Sequence, residues 1–173
     1  MDNTDEYLDL VDENDLVIGR EKRSEVHAKH LNNFRAVNAF IVNSSGELWI
    51  PRRTAHKQIA PLGLDMSMGG HVESGETYEQ TFRREMAEEL NIDTGVVPYK
   101  VIGYFKGGEH GLKAFQMIFE LKMDTVPDYN PTDFFESFWF KPLDLLKRIE
   151  GGEKTKSDLP ILVRLLYLNK NHH

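Results

Sequence analysis

Cysteine is absent from all 173 residues. That excludes disulfides, thiolate metal ligands and a thiol nucleophile, and leaves carboxylates and imidazoles as the main candidates for holding a metal. Long apolar runs are absent too: nothing approaches the ~18 residues of a membrane span. The first ten residues, MDNTDEYLDL, contain no basic region followed by an apolar stretch. The sequence therefore predicts no membrane partner, no secretory signal and a cytoplasmic location. A basic excess is also missing. Lys and Arg number 21 against 28 Asp and Glu, a net charge of −7, which disfavours binding to a nucleic-acid polymer. What remains is a charged chain long enough for one well-buried domain, residues 1–173, and short for two. The terminal His172-His173 pair reads as a tag remnant and carries no functional weight.

Local patterning predicts one α/β unit without linkers or repeats. Glu6 to Val11 alternates like an edge strand, Asp12 to Asp15 supplies a turn, and Leu16 to Gly19 returns. Ser24 to Leu31 suits a short helix. Ala36 to Val42 and Glu47 to Pro51 read as strands about an Asn43-Ser44-Ser45-Gly46 turn. Residues 52–66 form a loop rich in Arg, Lys and Pro that runs into Ser67-Met68-Gly69-Gly70. Segments 97–106 and 113–122 make a strand pair across a glycine-rich turn, and a polar loop at 123–133 precedes the aromatic strand Phe134 to Phe140. Helical patterns close the chain at Pro142 to Ile149 and Asp158 to Leu168. A mixed sheet with helices on both sides accommodates this order.

One window carries the chemistry: Gly70 to Ile92, GHVESGETYEQTFRREMAEELNI. Thr77 with Gln80 is a capping-box pattern, Glu79 complements the dipole, and Asn91 tolerates the left-handed conformation that ends helices. Between them Tyr78, Phe82, Met86 and Leu90 form an apolar stripe. Glu85, Glu88 and Glu89 fall within about a 100° arc beside that stripe. Two carboxylates about 6 Å apart repel by roughly 3 kcal/mol at an effective dielectric near 20. Burying them together raises their pKa values unless a cation joins them. A hard divalent ion with oxygen ligands meets that need. Taken alone, REMAEE also reads as a solvated acidic face paired with Arg83 and Arg84.

The spacing decides between these readings. Five residues separate Gly70 from Glu76, seven separate Glu76 from Arg84, and Glu85, Glu88 and Glu89 follow. Six such identities arise by chance at a given start on the order of once in 10⁷. The pattern resembles the Nudix hydrolase signature, Gly-x5-Glu-x7-Arg-Glu-U-x-Glu-Glu-x-Gly-U, where U is bulky and apolar. Asn91 is the one departure, standing where that family usually has glycine. The resemblance implies an α/β/α sandwich with a mixed sheet and a loop–helix–loop at the signature. It implies hydrolysis of a diphosphate linkage with Mg²⁺ or Mn²⁺. It assigns metal binding to Glu85, Glu88, Glu89 and the backbone carbonyl of Gly69, with Glu88 or Glu89 acting on the attacking water. Glu76 and Arg84 become a structural pair bracing the helix.

The likeness extends over most of residues 5–145. EYLDLVDENDLVIG, RAVNAFIVNSSGELWIPRR and GGHVESGE look like the Nudix branch related to type I isopentenyl-diphosphate isomerases. In that branch an Arg-Arg-x3-Lys stretch binds the substrate diphosphate, which here points to Arg52, Arg53 and Lys57. The isomerase cysteine before a Gly-His pair is replaced by Gly69. Of its histidine cluster only His27 and His71 remain, the third position being Phe34. The residues for hydrolysis are complete and those for isomerisation are not. The sequence therefore predicts hydrolysis of a nucleoside di- or triphosphate, or of a related nucleoside diphosphate derivative. The alternatives are an isomerase-like enzyme or a nucleotide-binding module without turnover. Glu136 is the candidate for a further carboxylate acting as general base or extra metal ligand, with Glu109 as its competitor. Phe105, Tyr129, Phe134 and Phe135 are aromatic groups available to stack a base or fill the core. A homodimer is compatible with everything above.

Overall fold

The computed structural model describes residues 5–169, so the His172-His173 pair lies outside the described residues. The chain opens with a hairpin, β1 (Tyr7–Val11) and β2 (Val17–Lys22), followed by the short helix α1 (Arg23–Ala28). Strands β3 (Arg35–Val42), β4 (Leu48–Arg53) and β5 (Met68–His71) lead into helix α2 (Tyr78–Leu90). Then come β6 (Tyr99–Phe105), β7 (Phe115–Lys122), β8 (Phe134–Phe140), α3 (Pro142–Glu150) and α4 (Asp158–Val163). A π-helical turn over Arg164–Leu168 continues α4.

The main sheet runs β6-β7-β3-β4-β8, with β5 also paired to β3. Only β3 and β7 pair in parallel, so the sheet is mixed. Alternation along the strands sorts side chains between its two faces. Val37, Ala39, Ile41, Trp49, Phe119 and Leu121 turn to one face and pack with Phe82, Met86 and Leu90 of α2. Phe40, Leu48, Ile50 and Ile118 turn to the other and meet Leu145, Leu159 and Leu162 from α3 and α4. The result is an α/β/α sandwich. A smaller cluster of Leu8, Val26, Phe34 and Ala114 seats the hairpin and α1.

Three strands differ from the sequence reading: β4 runs on through Arg52 and Arg53, read as the start of a loop. β2 runs on through Arg20-Glu21-Lys22, with Arg20 and Lys22 exposed while pairing with β1. Met68-Gly69-Gly70-His71, read as the end of a loop, is strand β5, with Gly70 opposite Val37 and Gly69 opposite Asn38. Two glycines obscure the strand pattern, and the pairing that makes it a strand lies some thirty residues back in the chain.

Candidate functional site

Helix α2 is fixed at both ends before any charge is considered. Gln80 N–H donates to Thr77 Oγ1 at 3.1 Å and the Thr77 N–H donates to Gln80 Oε1 at 2.9 Å. Asn91 caps the other end at φ 53° and donates from Nδ2 to the Asp128 carbonyl at 2.6 Å. The Tyr78 hydroxyl donates to Asp15 Oδ2 at 2.7 Å, and the Tyr104 hydroxyl reaches the same oxygen at 2.9 Å. Phe82 stacks on Phe119, centroids 4.0 Å apart and planes 11° apart. Rotation of α2 is thereby locked.

Glu76 and Arg84 pair in a fork, Arg84 Nε to Glu76 Oε2 at 3.0 Å and Nη2 to Oε1 at 2.8 Å. Burial pushes Glu76 upward, but the Arg84 guanidinium, the Glu73 N–H and the Thr81 hydroxyl outweigh it and hold its carboxyl below the usual range. Arg84 also donates from Nη1 to Glu85 Oε1 at 3.0 Å and Glu88 Oε2 at 3.4 Å. One guanidinium thus ties the loop before α2 to the acidic face of the helix.

Glu85 lies directly against β5. A Cβ placed on Gly70 would fall 2.6–2.7 Å from the Glu85 carboxyl and Cγ, so only glycine fits at this position. Glu85 and Glu89 lie one turn apart on the same flank of α2, both half-buried. Burial pushes Glu89 well above the usual carboxylate range, and the charges of Glu85, Asp65 and Asp133 add to it. Burial raises Glu85 too, against the opposing pull of the Arg84 guanidinium. Glu88 points outward, its side chain 54% exposed. Among the described residues no three Asp, Glu or His side chains form a ready-made metal cluster.

The three predicted phosphate-binding cations each hold a carboxylate in the structure. Arg52 bonds Glu136 and Glu153, Arg53 bonds Asp65 and the Ile59 carbonyl, and Lys57 Nζ donates to Asp133 Oδ1 at 2.6 Å. Consecutive residues of β4 face opposite ways. Asp65, the partner of Arg53, comes within electrostatic range of Glu89, as does Asp133. Arg52 turns to the α3 side, over the Phe138 ring. Glu136 stands opposite Arg52 in the β4–β8 register and shares that side, so it is not brought beside the α2 carboxylates. Glu109 closes its own loop, accepting from Lys106 N–H at 2.9 Å. Phe134 is core, 1% exposed against Trp49, whereas Phe135 is 48% exposed.

His71 and His27 face each other, Nε2 to Nε2 at 3.2 Å, with Phe34 stacked on His71. Burial, then the nearby cations Arg23 and Lys156, push His71 well below the ordinary imidazole value, and burial lowers His27 as well. Sequence reasoning missed four residues gathered around β5: Asp65, Asp133, Asn38 and Lys156. Asp65 alone left a signal, a carboxylate inside the otherwise apolar stretch Pro61-Leu62-Gly63-Leu64-Asp65-Met66, where a buried charge demands partners.

The NUDIX domain family model matches residues 32–159, and so covers α2, the strands around it and the start of α4. An uncharacterized Nudix hydrolase of Nostoc sp. is 53% identical over 164 residues, 95% of this chain and 97% of that protein. A Nudix hydrolase of Deinococcus radiodurans is 44% identical over 164 residues, 95% of each chain. A crystal structure from Deinococcus radiodurans, 44% identical in sequence, superposes with a TM-score of 0.88 over 94% of this chain and 99% of that one.

Proposed function

Because this chain belongs to the Nudix hydrolase family, we propose that the Glu85–Glu89 pair is its metal anchor and that its substrate is a nucleoside diphosphate derivative. The general activity is that of the family: water attacks phosphorus and cleaves a phosphoric anhydride bond. The observation that carries the assignment of the site is the pair itself. Two half-buried carboxylates one turn apart, one of them pressed against the Gly70 backbone and both raised by burial, form a site short of positive charge.

The donor set fits magnesium or manganese. Magnesium typically takes one or two carboxylates and completes its shell with water and substrate phosphates, so a third carboxylate is not required. Glu85, Glu89 and the Gly69 carbonyl would hold the ion, with exposed Glu88 free to ligate or to orient water. Such an ion supplies charge neutralisation at the diphosphate oxygens and a lower pKa for water. The chain's own residues do the rest. Arg84, fixed by Glu76, keeps Glu85 in place. Arg53 and Lys57, each tethered to an aspartate near Glu89, set the local potential and can exchange that aspartate for phosphate oxygens. Arg52 with Glu136 forms an ion pair on the far side of β4 and is the weakest member of the predicted set.

The isomerase-branch likeness rests on sequence segments that include Arg52-Arg53-x3-Lys57 and on the His27–His71 pair, whereas the matching family model is that of the NUDIX domain as a whole. With no cysteine in the chain, hydrolysis is the reading these residues support. Among the described residues no helix is long and apolar enough to cross a membrane.

The test is turnover of nucleoside di- and triphosphates, dinucleotide polyphosphates, ADP-ribose and isopentenyl diphosphate with Mg²⁺ or Mn²⁺, followed by phosphorus NMR. Metal-dependent release of phosphate or diphosphate, reduced at least about 100-fold in a folded Glu89→Gln protein, is the expected result. Isomerised isopentenyl diphosphate would overturn it. Tight binding without turnover across the panel would favour a nucleotide-binding module.

A further inference from the structure

The β1–β2 hairpin precedes the residues that the family model matches, yet it is built into the loop that leads to α2. Leu8 pairs with Glu73 as an antiparallel bridge, and Ser74 N–H donates to the Tyr7 carbonyl at 2.8 Å. The loop therefore runs along the edge of β1 that β2 leaves free. Leu8 turns inward among Val26, Phe34 and Ala114, which seats β1. Alternation sends the next side chain, Asp9, to the opposite face.

Asp9 is 9% exposed, and both of its carboxylate oxygens meet the centre of that loop. Oδ1 accepts from the Ser74 hydroxyl at 2.6 Å, and Oδ2 accepts from the Gly75 N–H at 3.1 Å. Gly75 stands at φ 88° with open space where a side chain would be, so it serves the shape of the turn. Glu76 follows at once and closes the same turn. Its carboxylate accepts from the Glu73 N–H at 3.1 Å, and its own N–H donates to the Glu73 carbonyl at 2.9 Å. Beyond it come the fork to Arg84 and the bond from Arg84 to Glu85. One connected path runs from Asp9 through the 73–76 turn, Glu76 and Arg84 to Glu85.

The tip of the hairpin holds the first turn of α2. Asp15, at φ 60°, accepts from the Tyr78 and Tyr104 hydroxyls on Oδ2 and from Arg35 Nε on Oδ1 at 2.7 Å. Arg35 also lies within electrostatic range of Asp9, so one cation stands near both aspartates. The hairpin thus grips the signature on either side of Glu76, at 74–75 and at 78. The two grips differ in what they fix. Asp15 ties three elements together, whereas Asp9 meets the turn that carries Glu76. A hydroxyl and a backbone N–H converge on Asp9, and with either donor left unanswered the turn loses its reason to keep this shape.

We propose that Asp9 is a positioning residue for the carboxylate site: it sets the turn at 73–76 and, through Glu76 and Arg84, the place of Glu85. This inference rests on the reading of Glu85 and Glu89 as the metal anchor, and adds a hold on that anchor from outside the signature. Asp9 touches neither the metal nor the substrate in this account. Its loss lets the Arg84 fork drift and weakens the metal, and at saturating metal it lowers kcat more than it raises KM.

The experiment takes two readouts, each well below the thermal midpoint of the protein concerned. Hydrogen exchange at the Arg84 Nε–H, followed by NMR without metal, reports the fork, and Mn²⁺ affinity by electron paramagnetic resonance reports the anchor. Asp9→Ala should speed the exchange and weaken Mn²⁺ by roughly tenfold each. Asp9→Asn can still offer an oxygen to Gly75 and an amide to Ser74, and should stay within about threefold of wild type. Combined with Glu76→Gln, Asp9→Ala should bind Mn²⁺ within about twofold of Glu76→Gln alone, because both act along one path. Glu21→Ala removes the ion pair with Lys29 from the same hairpin and should move neither readout. A lower thermal midpoint in Asp9→Ala with both readouts unchanged overturns the proposal, as do losses that multiply in the double variant or an equal loss in Glu21→Ala. If Asp9→Ala does not fold, Ser74→Ala decides: about threefold changes in the same directions uphold the path, and none overturns it. If wild-type protein binds no Mn²⁺, the metal-anchor reading fails, and the Arg84 exchange alone upholds or overturns the link from Asp9.

Discussion

Two carboxylate arrangements lie within a few residues of each other on and beside α2, and they differ in what completes them. Glu76 is fully answered from inside the protein: a forked arginine, a backbone N–H and a hydroxyl hold it ionised. Glu85 accepts one bond from Arg84, and burial raises both Glu85 and Glu89, the charge of Glu85 adding to the rise at Glu89. The first arrangement is closed and structural. The second stays open to a cation from solution. Arg84 joins them, since the guanidinium that satisfies Glu76 also reaches Glu85. The contrast separates the residue that builds the site from the residues that use it.

The comparison breaks most sharply at Gly70. Gly70→Ala puts a methyl group inside contact distance of the Glu85 carboxyl and displaces it without touching the Glu76–Arg84 pair. Displacing a reacting group by about 1 Å costs on the order of 100-fold, and kcat/KM should fall by about that much while the thermal midpoint moves little. A variant that keeps full activity would show that Glu85 need not lie where the structure puts it.

Glu76→Gln attacks the closed arrangement. Losing the charge opposite a half-buried arginine should cost about 2 kcal/mol, seen as a lower midpoint in denaturant. Activity should fall about tenfold, as for groups that support a ligand from behind. The sign with pH follows from the lowered Glu76 pKa. The unfolded chain takes up this proton first as pH falls, so the stabilisation is present above the usual carboxylate range and lost as pH drops through the folded value. Wild-type stability should therefore decline more steeply below about pH 5 than that of Glu76→Gln. Parallel curves would remove the pair from the account.

Thr77→Ala is the smallest test. Removing the capping oxygen from Gln80 N–H should cost about 1 kcal/mol of stability and leave kcat within about twofold, because Tyr78, Arg84 and Asn91 still hold α2. A large loss of activity would mean that the helix start, and not the brace, positions the carboxylates.

Much of this contrast was legible in the sequence because its signals are local. Thr77, Gln80 and Asn91 mark the ends of α2 within a few residues of where they act, and both caps form as read. Glu76 and Arg84 were recognisable by spacing, and their fork is present. Strand and helix patterns of ordinary length pointed to a mixed sheet with helices on both sides, and the family resemblance supplied the α/β/α sandwich. What was not legible depends on partners far along the chain. β5 is a strand only because β3 lies beside it, and its glycines hide the pattern. Arg53 and Lys57 could be named as basic residues, but their aspartates at 65 and 133 could not. Lys156 carries no motif. It reaches β5 only because Leu64 pairs with Thr155, which no local pattern encodes.

The most direct test of the central claim is Mn²⁺ binding, followed by electron paramagnetic resonance on wild-type and Glu89→Gln protein. Wild-type protein should bind the ion, and the substitution should weaken it at least about 100-fold with the fold intact. Equal affinity in a folded Glu89→Gln protein would contradict the claim that the Glu85–Glu89 pair is the metal anchor.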